Sequence, residues 1–228
     1  MKYILWDFDD TLAYRDGKWA AALVEAVRRA HPDRNVAMGD LRPYLQSGFP
    51  WHHPERVRPA GQPADEWWSR LEPVLAAALV QGARFPEDEA RRVARGVREV
   101  YIDPAYWHLF GDTLETLNEL QAQGWKHVIL SNHVPELPKI VHALGLSPLI
   151  HRVYTSAALG VEKPNPQAFK RVLEDLAPCE EVWMVGDSPR ADVSGAEAVG
   201  IKAVLVRSED PGVARYAATL RDVLRWLL

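Results

Sequence analysis

Three aspartates stand together near the start of the chain. Asp7, Asp9 and Asp10 directly follow a short apolar run, residues 3–6. Asp7 and Asp9 are two residues apart, so at the end of an extended strand their side chains point to one side. A second apolar run, 182–185, leads into Asp187, and Asp192 follows five residues later, where a helix is expected to begin. Carboxylates about 5 Å apart repel by roughly 3 kcal/mol per pair at an effective dielectric near 20. A gathered set therefore calls for a cation. All-oxygen ligation suits Mg²⁺, which keeps several waters and takes one or two carboxylates plus a substrate phosphate. Taken singly, each acid also fits a loop or a helix N-cap. Their placement at the ends of different strands is what points to chemistry.

Two further positions extend the set. Ser131-Asn132 ends a third apolar run, 126–130, and offers a hydroxyl and an amide. A helix starting after Pro135 would add an electropositive N-terminus suited to an anion. Lys163, in Gly160-Val161-Glu162-Lys163-Pro164-Asn165-Pro166, is flanked by turn-formers ahead of a helical pattern. A lysine held there can neutralise a carboxylate nucleophile and a transferring phosphoryl group, whereas an isolated lysine is simply solvated.

The elements that must carry these residues alternate. Apolar runs at 3–6, 126–130 and 182–185, with weaker candidates at 153–154 and 203–206, read as buried parallel strands. Helical patterns lie at about 111–123, 135–144, 166–176 and 189–199. That alternation predicts an α/β fold with a mostly parallel, Rossmann-like sheet. Ligands in such sheets bind outside the carboxyl ends of the strands, so the three polar strand ends are expected to face one crevice. The stretch 14–105 breaks the pattern, with helix-like segments near 19–30, 64–81 and 87–101 and no convincing strand. It reads as a helical insertion after the first strand, which leaves 1–13 and 106–228 as the core. Nearly all of its basic residues are Arg, suited to bidentate carboxylate or phosphate contacts, or else merely a solvated face.

Composition narrows the partners. A net charge of −4 over 228 residues argues against a nucleic-acid binder, which needs a basic surface. The single cysteine, Cys179, supports neither an intramolecular disulfide nor a thiolate zinc cluster. With no 18-residue apolar run and no apolar leader, no membrane association is expected and the cytoplasm is the expected location.

Together these residues resemble the haloacid dehalogenase-like (HAD) superfamily. Residues 4–12, Ile4-Leu5-Trp6-Asp7-Phe8-Asp9-Asp10-Thr11-Leu12, are similar to its first motif, and Val128-Ile129-Leu130-Ser131-Asn132 to its second. Lys163-Pro164 fits the third, and Val185-Gly186-Asp187-Ser188-Pro189-Arg190-Ala191-Asp192 the fourth. The four stand in the family's order. The resemblance implies a HAD-like core with a helical cap of the C1 type between the first two motifs. It implies Asp7 as nucleophile, forming an aspartyl-phosphate, and Asp9 as general acid–base. Mg²⁺ would be held by the Asp7 carboxylate, the Asp9 backbone carbonyl and Asp187. Ser131, Asn132 and Lys163 would bind phosphate, with Thr11 and Asp192 in support, Asp192 orienting Lys163 or a metal-bound water.

The expected function is therefore Mg²⁺-dependent hydrolysis of a small phosphomonoester by a monomer or homodimer. Two alternatives stand beside it: a metal-independent 2-haloacid dehalogenase and a non-catalytic binding protein on the same fold. Asp9 weighs against the dehalogenase, because a phosphoryl leaving group needs a proton and a halide does not. The intact set Asp7, Asp9 and Lys163 weighs against the binding protein. Substrate choice is expected of the insertion, in the aromatic and basic segment 48–58 with Trp51, His52, Arg56 and Arg58. The same segment also reads as a proline-stiffened loop that buries Trp51.

Overall fold

A computed structural model describes all residues, Met1–Leu228. Contacts divide the chain into two compact units: Met1–Tyr14, Pro54–Gly61 and Trp107–Leu228 form the first, Arg15–His53 and Gln62–Tyr106 the second. The segment 54–61, which the sequence groups with the helical stretch 14–105, therefore packs with the strands.

In chain order the elements begin with β1 (Lys2–Trp6) and β2 (Ala13–Tyr14), then α1 (Lys18–Ala30), α2 (Met38–Leu41), α3 (Ala64–Ala83) and α4 (Glu87–Tyr101). They continue through β3 (His108–Leu109), α5 (Thr113–Ala122), β4 (Trp125–Ser131), α6 (Leu137–Ala143), β5 (Ile150–Thr155), α7 (Ser156–Leu159) and α8 (Pro166–Leu176). The chain ends with β6 (Glu181–Gly186), α9 (Gly195–Glu197), β7 (Lys202–Val206), β8 (Tyr216–Ala217) and α10 (Leu224–Leu227).

In the first unit six strands form one sheet in the order β5-β4-β1-β6-β7-β8, every pairing parallel. All five strands expected from sequence are present, the two weaker ones included. β1 can sit centrally because Tyr3, Ile4, Leu5 and Trp6 are all buried, as a strand covered on both faces requires. One face of the sheet places Tyr3, Leu5, Val128, Leu130 and Met184 in a common core with Phe169 and Val172 of α8. On the other face Trp6 Nε1 donates to His127 Nδ1 at 3.0 Å, and His127 Nε2 lies 2.9 Å from the Leu117 carbonyl of α5. Since Nδ1 accepts, Nε2 carries the proton and donates to Leu117, so this buried imidazole is fully used. Burial pushes its pKa down to about 4, against a smaller opposing effect of the Leu117 hydrogen bond.

In the second unit α1, α3 and α4 pack together around aromatic rings. Trp19 stacks on Tyr101 with centroids 3.9 Å apart, Phe49 stacks on Trp51 at 4.7 Å, and Trp19 also meets Trp68 at 5.9 Å. Large aromatic surfaces supply much of the burial a small helical unit needs. No helix of the chain is long and apolar enough to cross a membrane.

Candidate active site

Register brings the polar strand ends to one level. Trp6, the last residue of β1, pairs with Ile129 of β4 on one side and Val185 of β6 on the other. One step further the Asp7 amide donates to the Val185 carbonyl at 2.9 Å. Asp7, Ser131 and Asp187 thus leave adjacent strands beside the point where the strand order reverses, the usual ligand position in such sheets. After Asp7 the chain coils tightly: the Phe8 carbonyl accepts from the Leu12 and Ala13 amides at 3.1 and 3.0 Å, and Asp10 adopts φ 57°. Phe8 is fully buried, with Trp107 and His133 at ring distances of 5.5 and 5.7 Å.

Lys163 is the electrostatic centre. Its ammonium is buried and donates to Asp7 Oδ1 at 2.8 Å, Asp192 Oδ1 at 2.5 Å and the Leu130 carbonyl at 2.7 Å, using all three of its hydrogens. Burial alone would depress its pKa, but the charges of Asp192 and Asp7 outweigh that and raise it. Asp192 is displaced upward by burial and by Asp7, with Lys163 opposing.

Asp192 reaches this position by an irregular route. In place of the regular helix expected over 189–199, Pro189–Ser194 forms a π-helical turn that runs into α9. Ser188 Oγ caps the Ala191 amide at 3.0 Å while Asp192 Oδ2 accepts from the Ser188 amide at 3.0 Å. The reciprocal cap fixes the Asp192 carboxylate, and π-turns recur where a side chain must be re-aimed at a functional site.

Asp7, Asp187 and Asp192 offer carboxylate oxygens that all lie within 4.8 Å of one another. This hard, all-oxygen donor set fits Mg²⁺. Asp9 turns its carboxylate instead toward His133, Oδ2 to Nε2 3.8 Å. Burial pushes His133 down to about 4, with the Val134 carbonyl and the Asp7 charge opposing. His133 escaped the sequence reading although it directly follows Ser131-Asn132; its neighbourhood with Asp9 exists only in the fold.

The remaining candidates are distributed as follows. Ser131 is buried at the end of β4. Asn132 donates from Nδ2 to the Lys163 carbonyl at 2.9 Å and accepts at Oδ1 from the Lys163 amide at 2.8 Å. The residue expected to bind phosphate thus clamps the backbone that carries the lysine. Thr11 Oγ1 is buried without a hydrogen bond, while the Thr11 carbonyl accepts from Arg207 Nε at 3.1 Å. Arg207 also pairs with Asp112 and lies 3.9 Å over the Phe110 ring; no sequence motif marked it. Trp51 stacks within the helical unit, and His52 Nδ1 accepts from the Phe49 amide at 3.3 Å. Arg56 is exposed beside Glu55, whereas Arg58 points to buried Glu162 at 3.8 Å.

The model of the haloacid dehalogenase-like hydrolase family matches residues 1–200. The chain belongs to this family. Among similar proteins, it is 31% identical to phosphoserine phosphatase of Thermus thermophilus, with 92% of each chain covered. It is 40% identical to ribulose-1,5-bisphosphate 5-phosphatase of Halopiger xanaduensis over 51% of this chain and 53% of that one. Among solved structures, the HAD-hydrolase YfnB of Bacillus subtilis, bound to magnesium, superposes with a TM-score of 0.75 at 20% identity, covering 99% of this chain and 98% of that one. The HAD-like hydrolase core is thus the fold described above.

Proposed function

We propose that this hydrolase is a Mg²⁺-dependent phosphatase acting on a small phosphomonoester through an aspartyl-phosphate on Asp7. The observation that carries the reading is the Lys163 ammonium held between Asp7 and Asp192, next to an acidic cluster and with a second acid, Asp9, two residues from the nucleophile. The phosphatase names of the two relatives support it.

Asp7 attacks phosphorus as the bond to the leaving oxygen breaks, and Asp9 gives that oxygen its proton. Asp9, now a carboxylate, takes a proton from water, which attacks the phosphorus; the Asp7–phosphorus linkage breaks and inorganic phosphate leaves. Splitting the hydrolysis in two lowers each barrier. Lys163 offsets the repulsion between a carboxylate and a phosphate dianion. The Asp7 and Asp187 carboxylates and the Asp9 backbone carbonyl would hold Mg²⁺, which when bound supplies further neutralisation of phosphoryl charge. Ser131 is assigned to a phosphoryl oxygen.

In this reading the helical unit is the family's C1-type cap and selects the substrate, with Trp51 and His52 as candidate contacts and Arg56 of segment 54–61 as a further one from the first unit. The enzyme works in the cytoplasm as a monomer or homodimer on a phosphorylated metabolite, without nucleic acid or membrane. The test is turnover of an aryl phosphate with Mg²⁺ and with EDTA, alongside chloride release from 2-chloropropionate. Activity lost in chelator with no chloride released is expected. Full activity in EDTA, or chloride release, overturns the reading in favour of dehalogenation.

A further inference from the structure

Glu162 immediately precedes Lys163 and is fully buried, yet neither of its carboxylate oxygens makes a hydrogen bond. Burial pushes its carboxyl up, and the charges of Arg58 and Lys163 oppose that. A buried carboxylate without hydrogen bonds is costly, and removing its counter-charge is costlier still. The counter-charge facing it is Arg58, Nη1 to Oε1 3.8 Å.

Arg58 belongs to the segment 54–61, and that whole segment lies along the Lys163 turn. The Arg58 amide donates to the Gly160 carbonyl at 2.7 Å and the Gly61 amide to the Ala158 carbonyl at 2.8 Å. On the far side of the lysine, Asn165 Nδ2 donates to the Pro54 carbonyl at 2.8 Å. The approach is close enough to require glycine at 160, where φ is +73° and an added Cβ would lie 2.4 Å from the Arg58 carbonyl oxygen. Asn132 holds the same turn through the backbone of Lys163.

We propose that Arg58 is a positioning residue: by pairing with Glu162 it fixes the strap 54–61 onto the 158–165 turn and so holds Lys163 between Asp7 and Asp192. The kinetic part of this inference rests on the phosphatase reading. Because a displacement of about 1 Å at a catalytic group can cost on the order of a hundredfold in rate, a strap two steps removed from the chemistry controls kcat. A residue that recognised a remote part of the substrate would instead act through larger substrates.

The test uses Arg58→Met, Arg58→Lys, Glu162→Gln and the double variant Arg58→Met/Glu162→Gln, assayed on an aryl phosphate and in thermal unfolding. Arg58→Met is expected to lower kcat about tenfold, with KM changed less than about twofold. Arg58→Lys should keep most of the activity. Glu162→Gln introduced beside Arg58→Met should recover part of both kcat and the unfolding midpoint, since it removes the uncompensated carboxylate. Unchanged kcat on the aryl phosphate in Arg58→Met overturns the proposal, as does additivity of the two substitutions in both measurements. If the wild-type protein hydrolyses no phosphomonoester, the phosphatase reading fails by itself. The unfolding cycle then judges the pair: additive midpoints reject it and non-additive midpoints uphold it.

Discussion

The Asp192 carboxylate lies against the backbone of Gly186 so closely that a Cβ at position 186 would stand 2.2 Å from Asp192 Oδ2. The last residue of β6 is glycine because the carboxylate that holds Lys163 needs the space. Gly186→Ala should push Asp192 off the lysine and lower kcat by about tenfold or more, with the circular dichroism spectrum of the folded protein retained. Wild-type kcat in that variant would mean that Asp192 can hold Lys163 from elsewhere.

Asp7→Asn should abolish turnover, because no other carboxylate stands both at the end of β1 and against Lys163. Asp9→Asn should form phosphoenzyme slowly, if at all, and stall there, lacking the acid and base that both half-reactions require. Intact-mass measurement after acid quench, with peptide mapping, checks both. A phosphoryl label on any residue other than Asp7 would reassign the nucleophile.

Metal binding can be read without turnover. If Mg²⁺ binds the folded cluster of Asp7, Asp187 and Asp192, millimolar Mg²⁺ should raise the unfolding midpoint, since a ligand of the native state stabilises it by mass action. Asp187→Asn should lose that shift. A shift of equal size in the variant would place the ion elsewhere.

Two buried histidines make stability pH-dependent in a definite direction. His127 and His133 are held at about 4 in the folded protein against an ordinary 6.5. Above pH 6.5 both states are neutral at these sites and stability is complete. As pH falls toward 4 the unfolded chain takes up protons that the folded one refuses. Each histidine then withdraws about 2 kcal/mol by pH 5. Asp192, displaced upward by burial, acts in the opposite sense, so the assignment needs a control. Urea unfolding at pH 7.5 and 5 should show a loss that is smaller in His127→Gln; an unchanged slope would remove His127 from the account.

Trp6→Phe isolates the hydrogen bond between β1 and β4. It preserves most of the ring but leaves His127 Nδ1 buried without its donor, a loss of about 1–3 kcal/mol in urea unfolding. No loss would mean that the ring's packing, and not its N–H, ties the two strands.

The sheet was legible because it rests on local signals: short, largely apolar runs leading to Asp7, Ser131 and Asp187. The hold of Asn132 on the Lys163 backbone was not legible, since the two residues lie thirty-one positions apart in the sequence. The π-turn at Pro189–Ser194 was hidden because 189–199 carries an ordinary helical pattern, and only the demand on Asp192 tightens the cap. Segment 54–61 read as part of a helical insertion because its prolines and arginines mark a loop without saying what the loop rests on. Its partners, Ala158, Gly160 and Asn165, are main-chain and amide groups that no composition rule couples to it.

The strap also decides how this enzyme could be rebuilt. Helical units of such hydrolases invite exchange as cassettes, with both cuts made at the linkers around residues 14 and 107. Here that graft would carry off eight residues, Pro54–Gly61, that belong to the unit built on the six-stranded sheet. The remaining core would lose the backbone over Gly160 and the guanidinium facing Glu162 while Gly160, Glu162 and Lys163 themselves stayed in place. A chimera must be assembled in two pieces, Arg15–His53 and Gln62–Tyr106, with the native bridge left in place between them.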